Sequence, residues 1–182
     1  MPRGTLFLIV GPSGAGKDSL LRGAQETLAG NDDYVFARRV ITREADPERE
    51  DHDSLTRKEF AQAAKKKAFM AAWNAYDTDY GIPVGYAKEL EQGRHVVANV
   101  SREAVGEIAA HYRPVCVIQV TAPADILEKR LAARGDEKDA ARRLSRTARL
   151  PDHISVVHLL NAGSPEKGVD RMVRLLTIHA VA

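Results

Sequence analysis

Gly11-Pro12-Ser13-Gly14-Ala15-Gly16-Lys17 is the segment whose residue types and spacing carry the most chemistry. A phosphate chain needs several donors converging on a small volume. Successive backbone N–H groups in a glycine-rich turn supply them, and a helix that follows adds its positive end. Gly11, Gly14 and Gly16 allow the tight turn, and Lys17 sets a positive charge against the outer phosphates of a nucleoside triphosphate such as ATP. An apolar run, Thr5 to Val10, precedes the loop, and a helical pattern follows it. The alternative is a glycine-rich turn with no ligand.

One position departs from the usual pattern. A serine or threonine ordinarily follows the lysine and binds magnesium through its hydroxyl. Here Asp18 stands there and Ser19 comes next. Carboxylate oxygen is a hard ligand, so Asp18 and Ser19 are the candidate magnesium ligands; the alternative is that Asp18 only caps the first helical turn. The strand Val96–Val100 ends in Asn99 rather than the aspartate often found there, and Asp18 is expected to supply the missing charge.

The arginines come next. Arg130 and Arg134 share one helical face, and Arg142, Arg146 and Arg149 share another. Two such faces joined by Gly135 describe a flap closing over ATP, which neutralises the transferring group and excludes water. Arg134 and Arg146 are therefore expected to act with Lys17 in catalysis. Arg38, Arg39 and Arg43 form a third cluster, suited to grip a phosphate on an acceptor or else a plain basic surface edge. Lys65-Lys66-Lys67 reads as a solvated helix face. The six histidines show no metal-ligand spacing, and no zinc is expected. Trp73, Tyr76 and Tyr80 read as packing, with Tyr80, beside Gly81, placed to touch an acceptor.

These residues need a scaffold. The chain has 182 residues, 44% of them hydrophobic, enough for one domain with a sizeable core. Its net charge of +2 is no nucleic-acid signature. The single cysteine, Cys116, cannot form an internal disulfide and sits in an apolar strand, so a buried thiol in a reducing compartment is expected. The N-terminal apolar run is too short for a signal peptide, and no stretch reaches the roughly 18 apolar residues of a membrane span. A cytoplasmic protein is expected, with neither nucleic acid nor membrane as partner. Strands are predicted over Thr5–Val10, Tyr34–Ile41, His95–Val100, Val115–Thr121 and Ile154–Leu160. Helices are predicted over Lys17–Leu28, Thr56–Phe69, Gly85–Gln92, Arg102–His111, Ala124 to about Arg134, Glu137–Arg149 and Glu166–His179. Glu44–Asp53 reads as a loop and Gly81-Ile82-Pro83 as a turn. Strands alternating with helices predict an α/β fold with a parallel sheet covered on both faces.

The phosphate loop, Ile41-Thr42-Arg43, Glu59-Phe60, Tyr80-Gly81-Ile82-Pro83 and Arg130-Leu131-Ala132-Ala133-Arg134-Gly135 together resemble the guanylate-kinase-like branch of P-loop kinases, over nearly the whole chain. The resemblance implies a three-layer fold with a five-stranded parallel sheet. It implies a core of residues 1–33, 94–130 and 151–182, an acceptor-binding lobe over 34–93 and a short lid over 131–150. The guanine-recognising residues are missing: Ala71 and Ala72 precede Trp73 where a glutamate is expected, Ile82 follows Tyr80-Gly81 in place of a serine or threonine, and Asn99 and Ser101 stand in place of aspartates, while His52 stands where a phosphate-gripping tyrosine is expected. Guanine's N–H donors would be left unpaired, so GMP is disfavoured as acceptor. Gly16-Lys17-Asp18-Ser19, Trp73 with Tyr80-Gly81-Ile82-Pro83, and Val97-Ala98-Asn99-Val100-Ser101-Arg102 resemble the ribose 1,5-bisphosphate phosphokinase family instead. That resemblance implies ATP and Mg2+, conversion of ribose 1,5-bisphosphate to 5-phosphoribosyl 1-diphosphate in phosphonate degradation, and an acceptor site at Arg39, Arg43, Tyr80, Asn99, Ser101 and Arg102. The alternatives are a nucleoside-monophosphate kinase, a kinase of a sugar alcohol using Asp79 as base, or a non-catalytic binding module; a monomer and a homodimer both remain open.

Overall fold

The computed structural model describes residues 3–44, 52–75, 77–132, 150 and 154–181. Tyr76 and the arginines Arg134, Arg142, Arg146 and Arg149 lie outside the described residues.

Five strands, β1 (Leu6–Val10), β2 (Tyr34–Phe36), β7 (His95–Asn99), β8 (Val115–Thr121) and β9 (Val156–Leu160), form one sheet in the order β2-β7-β1-β8-β9. Every pairing in it is parallel. β1 lies at the centre, and all five of its residues are 0% exposed. That burial is why it reads as an unbroken apolar run rather than an alternating one. Leu6, Leu8 and Val10 point to one face and Phe7 and Ile9 to the other.

The helices split accordingly. α3 (Gly85–Glu91) and α4 (Arg102–His111) bury Leu90, Ala104, Val105 and Ile108 against the first face. α1 (Lys17–Thr27), α5 (Ala124–Ala132) and α6 (Pro165–Ile178) bury Leu20, Ala24, Leu127, Met172 and Leu176 against the second. The result is the three-layer α/β arrangement that the alternation of strands and helices implies.

A second sheet of four strands has the order β4-β3-β6-β5 and is built from β3 (Arg39–Ile41), β4 (His52–Ser54), β5 (Phe69–Ala75) and β6 (Thr78–Pro83). Here the structure departs from the sequence expectations. The segment Tyr34–Ile41 is two strands in two sheets. Tyr34–Phe36 pairs with β7 in the core, so residues 34–36 belong to the core sheet and not to the lobe. Gly81-Ile82-Pro83 is the end of a strand rather than a turn, paired through Gly81 with Val40 and Ala72. His52 and Asp53, read as loop, pair in parallel with Arg39 and Val40.

The helix expected over Thr56–Phe69 is α2 (Arg57–Lys65). Its start is set by the capping box foreseen at Thr56 and Glu59, with Thr56 N donating to Glu59 Oε2 at 2.8 Å and Glu59 N to Thr56 Oγ1 at 3.2 Å. Its end comes early because Lys67 adopts a left-handed φ of 56°. Phe69 then turns back as the first residue of β5 and stacks on Phe60 with ring centroids 4.6 Å apart.

Candidate active site

The carboxyl ends of the core strands deliver the candidate residues to one edge. The phosphate loop follows β1, Asn99 ends β7, and Asn161 follows β9. From β1 the chain runs to β2 on one side, and from β7 it crosses β1 to β8 on the other, so this edge is the switch point where open parallel sheets bind ligands.

The loop Gly11–Gly16 leads into α1, whose N-cap, Gly16, has φ 87° and ψ 20°. Only glycine adopts that conformation without strain. Lys17 Nζ donates to the carbonyls of Gly11 at 2.8 Å and Pro12 at 3.0 Å. The ammonium group is thus held across the mouth of the loop by the loop's own backbone. Two further side chains grip the loop from outside. Arg130 Nη1 donates to Gly14 O at 3.2 Å and to Ala15 O at 3.4 Å. The amide of Asn161 donates to Ala15 O at 2.8 Å.

Asp18 lies in the first turn of α1 and accepts a hydrogen bond from the Asn99 side-chain amide at 2.9 Å. Asp18 and Asn99 are therefore in direct contact. Ser19 is exposed on the same turn. Among the described residues no cluster of three or more His, Cys, Asp or Glu side chains is placed to hold a metal. One carboxylate with one of its oxygens already oriented suits a hard cation that keeps water and phosphate oxygens as its other ligands, as magnesium does.

Three of the acceptor candidates, Arg39, Tyr80 and Ser101, are joined through Trp73 in a chain of contacts from the lobe to the core. Arg39, 8% exposed, places its guanidinium carbon 5.2 Å from the centre of the Tyr80 ring. Tyr80 stacks on Trp73 with centroids 5.5 Å apart and planes 8° from parallel. These two residues face each other because β5 and β6 pair them in register. Trp73 Nε1 then donates to Ser101 Oγ at 2.9 Å. Ser101 is the N-cap of α4, yet its hydroxyl makes no cap bond to that helix; it is turned to the lobe instead. Arg102 follows, and its buried Nε has no hydrogen-bond partner among the described residues. Arg43 is exposed, and its carbonyl accepts from Ser54 Oγ at 2.7 Å and lies 3.4 Å from His52 Nε2. His52, only 2% exposed, is thereby a buried prop for the turn that carries Arg43.

Three features of the site have no clear signal in the residue types. Asn161 carries no motif; its one signal is a polar residue directly after an apolar strand. The contact of Arg130 with the loop is invisible in a helical-face argument, which places it only beside Arg134. Trp73 packs on Tyr80, as its residue type suggests, and its indole N–H also bridges lobe and core through Ser101. Asp79, the candidate base for a hydroxyl acceptor, accepts from Asn74 Nδ2 at 2.7 Å, and its backbone N–H is bound by Thr42 Oγ1. Those contacts give it a place in the β5–β6 hairpin.

No protein-family model matches the chain. Among solved structures it is similar to the guanylate kinase of Anaplasma phagocytophilum, with a TM-score of 0.73 over 100% of this chain and 88% of that one, at 18% identity. That likeness shows the guanylate-kinase-like P-loop kinase fold. Among curated relatives, it is 46% identical over 95% of its length to a bifunctional ribose 1,5-bisphosphokinase-thymidine phosphorylase of Cupriavidus pinatubonensis, and spans 29% of that protein. It is 39% identical to the ribose 1,5-bisphosphate phosphokinase PhnN of Methylobacterium radiotolerans, over 93% of this chain and 96% of that one. A match that runs nearly end to end in both chains, on a fold that keeps the phosphate loop, places this chain in the ribose 1,5-bisphosphate phosphokinase family.

Proposed function

We propose that the chain transfers the γ-phosphoryl group of ATP to ribose 1,5-bisphosphate, giving 5-phosphoribosyl 1-diphosphate and ADP. An oxygen of the acceptor's 1-phosphate forms the new bond to the γ-phosphorus, and the bond from that phosphorus to the β-phosphate oxygen breaks. The acceptor oxygen is already ionised near neutral pH, so the step needs no general base. The observation that carries this reading is the run of contacts from Arg39 through Tyr80 and Trp73 to Ser101, which ends beside the Asn99–Asp18 pair. It offers cations and hydroxyls suited to a sugar phosphate and, at Ala71 and Ala72, no acid for guanine.

Catalysis on this reading is position and charge. The loop residues Gly11, Pro12, Ser13, Gly14, Ala15 and Gly16 orient the donor's phosphates. Lys17 exchanges its two loop carbonyls for phosphate oxygens. Arg39, Arg43, Tyr80, Asn99, Ser101 and Arg102 hold the acceptor on this reading, and Arg134 and Arg146, which lie outside the described residues, are the cations assigned to the transferring group. Asp18 and Ser19 would hold magnesium, which supplies neutralisation of the developing phosphate charge. The reaction fits phosphonate degradation in the cytoplasm; no helix among the described residues is long and apolar enough to cross a membrane.

Lys17→Ala tests the assignment. Turnover should fall by a factor on the order of 100 or more while the melting temperature holds. Near-normal activity would refute the placement of ATP on this loop.

A further inference from the structure

Asn161 is 6% exposed, a polar side chain sealed in the core edge. Its backbone N–H donates to Thr121 O at 2.7 Å, which anchors it to the end of β8. Its side-chain Nδ2 donates to Ala15 O at 2.8 Å. Two glycines make room for the amide. A Cβ on Gly16 would stand 2.5 Å from Asn161 Nδ2, and a Cβ on Gly168, in α6, would stand 2.9 Å from Asn161 Oδ1. Neither distance is tolerable for a methyl group, so the amide fills the space between the phosphate loop and α6.

The bond to Ala15 O fixes more than a carbonyl. A trans peptide is planar, with its C=O and N–H pointing in opposite directions. Pinning the Ala15 carbonyl outward on Asn161 therefore turns the Gly16 N–H to the opposite side of the loop. Gly16 opens α1, so that N–H is one of the helix's N-terminal donors, which have no carbonyl partner within the helix. We propose that Asn161 is a positioning residue for the donor phosphates: it locks the Ala15–Gly16 peptide so that the Gly16 N–H points into the anion cradle before ATP arrives. Arg130, which shares Ala15 O at 3.4 Å, is the weaker second restraint. This inference rests on the reading of the loop as an ATP site.

The test is a pair of near-isosteric variants, Asn161→Asp and Asn161→Leu, neither of which keeps the N–H donor. Binding of ATP is measured by calorimetry, and the KM for ribose 1,5-bisphosphate and the melting temperature are measured alongside. The dissociation constant for ATP should rise about tenfold in both variants, the size expected for one misdirected hydrogen bond, while the acceptor's KM stays within about twofold. A lowered melting temperature with unchanged ATP affinity would overturn the proposal and leave Asn161 a structural residue. Wild-type protein that binds no ATP would instead refute the ATP site itself. If neither variant folds, the wild-type protein decides through the Asn161 side-chain amide signals in NMR. They should stay slowly exchanging with and without a non-hydrolysable ATP analogue, and their release on binding would overturn the proposal.

Discussion

Asn99 and Asp18, 81 positions apart in sequence, meet through a 2.9 Å hydrogen bond from the Asn99 amide to Asp18 Oδ1. The contact arises because β1 and β7 are parallel neighbours with Ile9 opposite Asn99, so the loop after β1 and the end of β7 emerge together. A neutral amide at the end of β7 orients the one carboxylate at the start of α1 without repelling it.

That pairing predicts the magnesium response. Asp18→Ala should lower kcat by about 100-fold at saturating ATP and raise the magnesium needed for half-maximal rate. Asn99→Asp places two carboxylates in contact, which raises the proton affinity of the pair. It should move the acid limb of the pH–rate profile to higher pH than in the parent enzyme. Initial rates across magnesium concentration and pH check both, and an unchanged magnesium dependence in Asp18→Ala would contradict the metal role.

Trp73→Phe keeps an aromatic ring against Tyr80 but removes the donor to Ser101. The loss of one hydrogen bond, about 1 kcal/mol, should raise the acceptor's KM roughly fivefold. Steady-state kinetics should show ATP's KM unchanged. Equal effects on both substrates would mean that the bond holds the fold rather than the acceptor site.

His95 is buried at the start of β7, where its Nδ1 accepts the Thr5 N–H at 3.0 Å. Burial pushes its pKa below the ordinary value of 6.5, with Asp33 pulling weakly the other way. The unfolded chain therefore takes up this proton at a higher pH than the folded one. Stability should be full above about pH 6.5 and fall as pH drops through the folded-state value. In urea denaturation the midpoint should drop between pH 7 and pH 5, and His95→Asn, which retains an acceptor but does not titrate, should reduce that drop. An equal drop in both proteins would place the acid sensitivity elsewhere.

Cys116 lies in β8 opposite Phe7, and burial pushes its thiol up to about 11. The thiolate is the reactive form, so alkylation at pH 8 should be far slower in the native protein than in urea. Comparable rates would show that β8 opens readily.

What was legible in the sequence followed from short-range rules. β1 announced itself as an apolar run ending in Gly11, and the capping box at Thr56 and Glu59 marked the start of α2. The lobe was harder to read because its signals mislead locally. Gly81 and Pro83 look like turn residues, yet Gly81 sits in a strand because the Phe69 ring lies where its Cβ would be, the nearest ring atom 2.7 Å away. Only Ala37 and Arg38 separate β2 from β3, so nothing in the residue types marks where the chain leaves one sheet for the other. In the candidate site the loop, Asp18 and Asn99 were readable as departures from a known pattern. Asn161 was not, because its role depends on Gly16, Gly168 and Ala15 meeting in space.

The central claim is tested most directly by incubating the protein with ATP and magnesium and each of ribose 1,5-bisphosphate, GMP, AMP and gluconate, and identifying products by phosphorus NMR. The account predicts the diphosphate signal of 5-phosphoribosyl 1-diphosphate, formed in step with ADP, from ribose 1,5-bisphosphate alone. Turnover of GMP with none of ribose 1,5-bisphosphate would contradict it.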